Sequence, residues 1–186
     1  MRRDGWDEGW EAALVMAARA GDLRAFDALA RHYRPGLVLI ARQILPTREM
    51  AEDAAQDALL AAYSALPRLD DPARFGAWLG AIARNRAARL SRGERRQPVP
   101  LESVVLAYVP AIAESLAASE TDGKVRCAIA NLGPDVRPVV ELYYEREWSV
   151  REISAFLGVP ETTVKWRLHT ARMRLRKWLP DLEERE

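Results

Sequence analysis

Hydrophobic positions recur at spacings of three and four along most of the chain, and that period belongs to helices. Trp10, Leu14 and Ala17 or Ala18 make a first stripe, so a helix is expected over 9–20. Gly21-Asp22 breaks it, and Asp22 can cap the next helix. Phe26, Leu29, Tyr33, Leu37, Ile40 and Ile44 then form a long stripe, with Pro35 inside it. Proline lacks the N–H and crowds the preceding turn, so it should kink or interrupt that helix. After Pro46, Thr47 can cap a third helix running to about Leu66, with Ala55, Leu59, Ala62 and Tyr63 toward the core. Asp71-Pro72 is a helix start, a side-chain cap followed by a proline whose missing N–H costs nothing there. Phe75, Trp78, Leu79, Ile82 and Leu90 face inward beyond it. Val125, Ile129 and Leu132 mark another helix, broken by Gly133-Pro134. Asp135 is then placed to cap a segment with Pro138 in its first turn and Val139, Val140, Leu142, Tyr143 and Tyr144 as core.

The stretch from Trp148 to Trp178 is the most specific. Ser149 and Glu152 have capping-box spacing, each able to satisfy a backbone N–H of the other. Ile153, Phe156 and Leu157 share a face, and Gly158 can end the helix in the left-handed conformation. Pro160 sets up a second helix whose stripe is Val164, Leu168, Ala171 and Leu175. Opposite the stripe lie Thr162, Trp166, His169, Met173 and Arg176, flanked by Lys165 and Thr170, with Arg167, Arg172 and Arg174 nearer its edges. A cationic, hydrogen-bonding face set against an apolar docking face is the layout of a helix-turn-helix that reads a major groove. Trp166 is the telling residue, because an aromatic on the polar face of a basic helix has no core to fill. The alternative is a solvated basic face with Trp166 packed on a neighbouring segment.

Two other faces carry a pattern. Glu52, Asp53, Gln56 and Asp57 cluster on the third helix at i, i+3 and i+4, as a solvated acidic face or as a dock for a basic surface. Arg84, Asn85, Ala88, Ser91, Arg92 and Arg95 spread over the outer face of the helix after Pro72. Gly76, Ala77, Gly80, Ala81 and Ala88 are expected to leave backbone open between the arginines for a phosphate chain. The loop 67–72, between Pro67 and Pro72, is rigid and polar. From Gln97 to Gly123 there is no Lys or Arg, while Pro98, Pro100, Pro110, Glu102, Glu114, Glu120 and Asp122 appear. Those features mark an acidic linker with one weak helix over about 111–119.

Few β-branched runs occur, and Ala, Leu, Arg and Glu dominate, so the fold is expected to be all-α. It divides into a tail (1–8), a helical domain (9–96), a linker (97–120), a helix-turn-helix domain (121–180) and a tail (181–186). The formal charge of the 186 residues is only +1, yet arginines crowd 74–96 and cations crowd 165–177. Two separated basic faces on a near-neutral chain suggest two contacts with a polyanion. Cys127 is the only cysteine, which excludes an internal disulfide and fits a cytoplasmic location. His32 and His169 are far apart, no metal constellation or nucleophile–base pair is present, and no phosphate-cradling glycine loop exists. Neither an enzyme nor a resident cofactor is expected. The N-terminus lacks a signal-like apolar region and no apolar run reaches membrane-spanning length, so no membrane insertion is expected.

Three motifs in order resemble an extracytoplasmic-function (ECF) sigma factor of the sigma-70 family. They are Ala51-Glu52-Asp53-Ala54-Ala55-Gln56-Asp57, the run from Phe75 through Trp78-Leu79 to Ala83-Arg84-Asn85, and Glu152-Ile153 through Leu157-Gly158-Val159 to Thr163-Val164-Lys165-Trp166-Arg167-Leu168-His169-Thr170-Ala171-Arg172. The resemblance spans about residues 10 to 180 and implies a region 2 helical bundle joined to a region 4 helix-turn-helix. It implies core RNA polymerase as partner, through the clamp coiled coil of the largest subunit and the flap region, with Glu52, Asp53, Gln56 and Asp57 at the clamp. The loop Arg68, Leu69, Asp70 and Asp71 would receive a flipped base of the −10 element, with Arg74, Arg84, Asn85 and Arg89 near the strands. The −35 element would be read by Thr162, Thr163, Lys165, Trp166, His169 and Thr170, with Arg167 holding phosphate. The linker would thread toward the polymerase cleft, and an anti-sigma factor is an implied partner. Relatives commonly carry serine at the Trp166 position and arginine at the Thr170 position, which implies an atypical −35 sequence. Gly80 and Ala81 stand where primary sigma factors carry paired melting aromatics, which implies a stricter promoter requirement. The rival readings are a stand-alone helix-turn-helix regulator and a sigma-like decoy for an anti-sigma factor.

Overall fold

The computed structural model describes residues 8–93, 125 and 127–178, and among them there is helix and no strand. Helices α1 (Glu8–Arg19), α2 (Leu23–Arg42), α3 (Arg48–Ala65) and α4 (Phe75–Ser91) form the first bundle. The expected linker, the Ala111–Ser119 helix, Arg95 and the C-terminal tail lie outside the described residues.

The caps account for the boundaries. Asp22 accepts from the N–H groups of Arg24 and Ala25, and Thr47 accepts from Met50. Asp71 caps a 3-10 turn, Pro72–Arg74, by accepting from Ala73, and α4 follows directly. Pro35 does not interrupt α2, which runs through it over 20 residues. Burial of Phe26, Leu29, Tyr33, Gly36, Leu37 and Ile40 along the same helix holds the turn that the proline would otherwise break.

The second half begins with helical residues 127–130, then α5 (Arg137–Val140), which passes into a π-helical turn, Glu141–Glu145. The expected cap at Asp135 does not form: the N-cap residue of α5 is Val136, with no side-chain cap, and Asp135 lies 3.8 Å from Arg167. Glu147 takes a left-handed φ of 57°, costing about 1 kcal/mol for a side chain. Together the π turn and Glu147 bring Trp148 inward, its N–H donating to the Leu142 carbonyl. Helices α6 (Val150–Leu157) and α7 (Glu161–Trp178) complete the described residues. Both bonds of the capping box form at Ser149, and Gly158 closes α6 at φ 68°.

One apolar cluster runs through both halves. Val15, Phe26, Leu29, Leu37, Leu59 and Leu79 from the first bundle join Leu142, Trp148, Ile153, Phe156, Val164 and Leu168 from the second. A smaller cluster, Leu132, Val136, Val140 and Ala171, ties α7 to its own half. The buried face of α3 is almost wholly alanine: Ala51, Ala54, Ala55, Ala58 and Ala62, with Leu59 among them. Such short side chains let α3 approach its neighbours at the close end of the helix-packing range, about 8 Å between axes.

Candidate nucleic-acid and polymerase interfaces

The α7 stripe buries Val164, Leu168 and Ala171, which fixes the rotation of the helix. Its far side is open: Thr162, Lys165, Trp166, His169, Met173 and Arg176 are exposed, and Thr163 and Thr170 are half-buried. Trp166 is 62% exposed, so it does not pack on a neighbouring segment. Lys165 sits 3.4 Å from Glu161, an exposed pair of the kind that gives up little when a phosphate replaces the carboxylate. Arg167 departs from expectation. Its side chain is 18% exposed and turned toward Asp135, so it braces α7 against its own half. Arg172 donates to the Tyr144 hydroxyl at 2.8 Å, which fixes the next turn in the same way.

The loop after α3 is held from behind. Leu69 is buried, and its carbonyl accepts from Arg19 at 3.2 Å, so the Leu69 side chain packs into the apolar cluster and not on the loop surface. Arg68, Asp70, Asp71 and Arg74 are exposed around it. Gly76 N–H donates to the Glu11 carboxylate at 3.2 Å, which pins the start of α4 to α1. Glu11 also receives the Tyr33 hydroxyl, and burial together with that carboxylate pushes the phenol well above its ordinary range.

On α4, Asn85 is exposed and Arg86 and Arg89 are half-buried. Arg84 is not on the outer face. Its Nη1 donates to the Phe156 carbonyl at 2.9 Å, and burial lowers its pKa, though a guanidinium keeps its charge at any physiological pH. Nor do Gly76 and Gly80 leave the backbone open, while Ala77, Ala81 and Ala88 are half-buried. A methyl group on Gly76 would lie 2.7 Å from the Tyr33 hydroxyl, and one on Gly80 would lie 2.2 Å from the Phe156 carbonyl. Those glycines admit protein, not phosphate.

On α3, Asp53 and Gln56 are exposed, and Glu52 and Asp57 are half-buried. Arg48 Nε bonds Glu52 at 2.7 Å across one turn. The acidic face therefore stands on a helix whose other side is fully packed.

Comparison with known proteins agrees with this geometry. The Sigma-70 region 2 model matches residues 29–97, and the Sigma-70 region 4 model matches residues 128–177. The ECF RNA polymerase sigma factor SigM of Mycobacterium tuberculosis H37Rv is 35% identical over 176 residues, covering 94% of this chain and 87% of SigM. This chain belongs to the ECF sigma factor family. Among solved structures, CnrH in complex with the cytosolic domain of CnrY is 27% identical, with a TM-score of 0.57 over 92% of this chain and 98% of that one. The sigma factor RpoE from Bartonella quintana, solved with the anti-sigma factor NepR, shares the fold at 21% identity and a TM-score of 0.52, covering 85% of this chain and 98% of that one. As a sigma factor the protein binds core RNA polymerase and directs promoter-specific initiation. No helix among the described residues is long and apolar enough to cross a membrane.

The contact between the halves of the sigma factor had no counterpart in the residue pattern. It is made by His32, Tyr33 and Gly36 on α2, Gly80 and Arg84 on α4, and Trp148 and Phe156 from the second half. The available signal was two glycines inside helices, where glycine costs about 1 kcal/mol relative to alanine and so marks a close approach.

Proposed function

We propose that the sigma factor divides its work among three faces. Glu52, Asp53, Gln56 and Asp57 meet the basic clamp coiled coil of the polymerase. Arg68, Asp70, Asp71 and Arg74 surround the extruded −10 base, with Asn85 and Arg89 on the adjoining strand and Leu69 as the buried anchor of the loop. Thr162, Thr163, Lys165, Trp166, His169 and Thr170 read the −35 element. The domains are a region 2 module (9–96), a linker (97–120) and a region 4 module (121–180). The protein works in the cytoplasm as an initiation factor, with the chemistry of RNA synthesis left to the polymerase, and an anti-sigma factor is its regulatory partner.

The observation that carries the reading is the exposed face of α7, where Trp166 stands clear beside Thr162, Lys165, His169 and Arg176 on a helix anchored by Val164, Leu168 and Ala171. Indole can cover thymine methyls, an apolar contact available in the major groove. The test is run-off transcription with core polymerase on a randomised promoter library. Transcripts sharing two upstream boxes are expected, and Trp166→Ala should relax the upstream box while leaving the thermal midpoint unchanged. Asp53→Asn with Asp57→Asn should weaken co-elution with core polymerase at least tenfold. No transcript from any promoter would refute the reading.

A further inference from the structure

The loop between α3 and α4 takes part of its shape from its own residues. The Leu69 N–H donates to the Leu66 carbonyl, and Asp71 accepts from the Ala73 N–H. Two further backbone groups are satisfied from far upstream, by α1. Arg19, in the last turn of α1, donates from Nη1 to the Leu69 carbonyl at 3.2 Å. Glu11, near the start of α1, accepts from the Gly76 N–H at 3.2 Å.

Gly76 is in the first turn of α4, whose N-cap residue, Arg74, makes no side-chain cap bond. The first N–H groups of a helix have no partner within it. A carboxylate from another helix therefore does the work of a cap, and its negative charge suits the positive end of α4. The missing side chain at Gly76 makes room for this. A methyl group there would lie 2.7 Å from the Tyr33 hydroxyl, which also donates to Glu11.

The helix α1 can act at both points at once. Glu11, Val15, Ala18 and Arg19 fall at i, i+4, i+7 and i+8, which is one helical face. Val15 and Ala18 are buried, so that face cannot roll without exposing them. The helical rise sets Glu11 and Arg19 about 12 Å apart along the axis. Between the two tied points the chain passes through Asp70, Asp71 and Arg74, all exposed. Neither Glu11 nor Arg19 belongs to a motif behind the family resemblance.

We propose that Glu11 and Arg19 are positioning residues for −10 recognition: α1 is a strut that sets the mouth of the loop before DNA arrives. The proposal rests on the reading of that loop as the −10 site. A loop held in one shape cannot rearrange around a wrong base, and it loses less chain entropy when the right one enters.

The test uses the full-length protein with core polymerase, on a promoter recovered from the randomised library and on its single-base substitutions in each box. Arg19→Met keeps the apolar stem of an exposed side chain and removes the donor, and Glu11→Ala removes the acceptor. Arg19→Lys keeps a donor, and Glu11→Gln keeps an acceptor. Arg19→Met and Glu11→Ala should each cut the transcription ratio between intact and substituted −10 boxes by roughly tenfold, the size of one hydrogen bond to a charged group. The −35 ratio and co-elution with core polymerase should stay as in wild type, and the Lys and Gln variants should recover most of the −10 ratio. An unchanged −10 ratio in either removal variant overturns the strut. So does an equal fall in both ratios, which is what a general loss of stability would produce. Asp70→Ala separates the strut from the reading beneath it. If Asp70→Ala lowers the −10 ratio while Arg19→Met and Glu11→Ala do not, the strut alone is wrong. If Asp70→Ala also leaves the ratio untouched, the loop is not the −10 site and the strut falls with it.

Discussion

Acidification should loosen the protein through His32. The ring lies between α2 and the second half, its side chain 10% exposed and stacked on Trp148, and burial lowers its pKa from 6.5 to about 4. The charged groups facing it are Glu152 on α6, whose Oε1 is 3.8 Å from Nε2, and Arg24, Asp27 and Arg31 around the cleft on its own helix. Tyr33 packs edge-on beside it, with Glu11 behind. Because the folded-state pKa is depressed, the unfolded chain binds the extra proton between pH 6.5 and pH 4. Stability is therefore complete above 6.5 and is lost as pH falls toward 4. The full shift corresponds to about 3 kcal/mol, of which about 2 kcal/mol is lost by pH 5. Attraction to Glu152 pulls the other way, so about 1–2 kcal/mol is the expected loss. Urea titrations at pH 7.5 and pH 5.0 on wild type and His32→Gln would measure it. The wild-type midpoint should fall by about 0.5–1 M more than the variant's. Equal falls in both proteins would show that His32 carries no proton-linked stability, and the desolvation argument would fail.

Two further predictions separate anchor from reader. Leu69→Ala should cost about 2–5 kcal/mol, because it empties a buried site, whereas Asp70→Ala should leave the denaturation midpoint nearly unchanged and reduce −10 discrimination in a transcription assay. Ser149→Ala removes the acceptor for the Glu152 N–H, which is 3.1 Å from it, and should lower stability by about 1 kcal/mol by calorimetry.

The helices were legible because their signals are local. The Asp22, Thr47 and Ser149 caps, the Gly158 terminator and the apolar stripe of α7 each need only a few neighbouring residues to act. Where expectation failed, a distant residue decided the outcome. Pro35 stays within a helix because Tyr33, Gly36 and Leu37 on either side of it are buried. Asp135 caps nothing and instead faces Arg167, a long-range pairing no spacing rule contains. Arg84 and Gly80 looked like a phosphate-binding surface, and only the position of Phe156, far along the chain, shows what they receive. The family motifs gave the order of the modules. They carried nothing about how the modules touch, because that depends on side-chain fit across two halves.

The alanine seam of α3 bears on how the protein can change. Any replacement at Ala51, Ala54, Ala55, Ala58 or Ala62 other than glycine enlarges a side chain that has no spare room, so the inner surface of that helix is nearly frozen. The opposite side, with Asp53 and Gln56, is exposed and is not held by that packing. A lineage can therefore re-letter the charges that the proposed clamp contact would use without disturbing the scaffold beneath them.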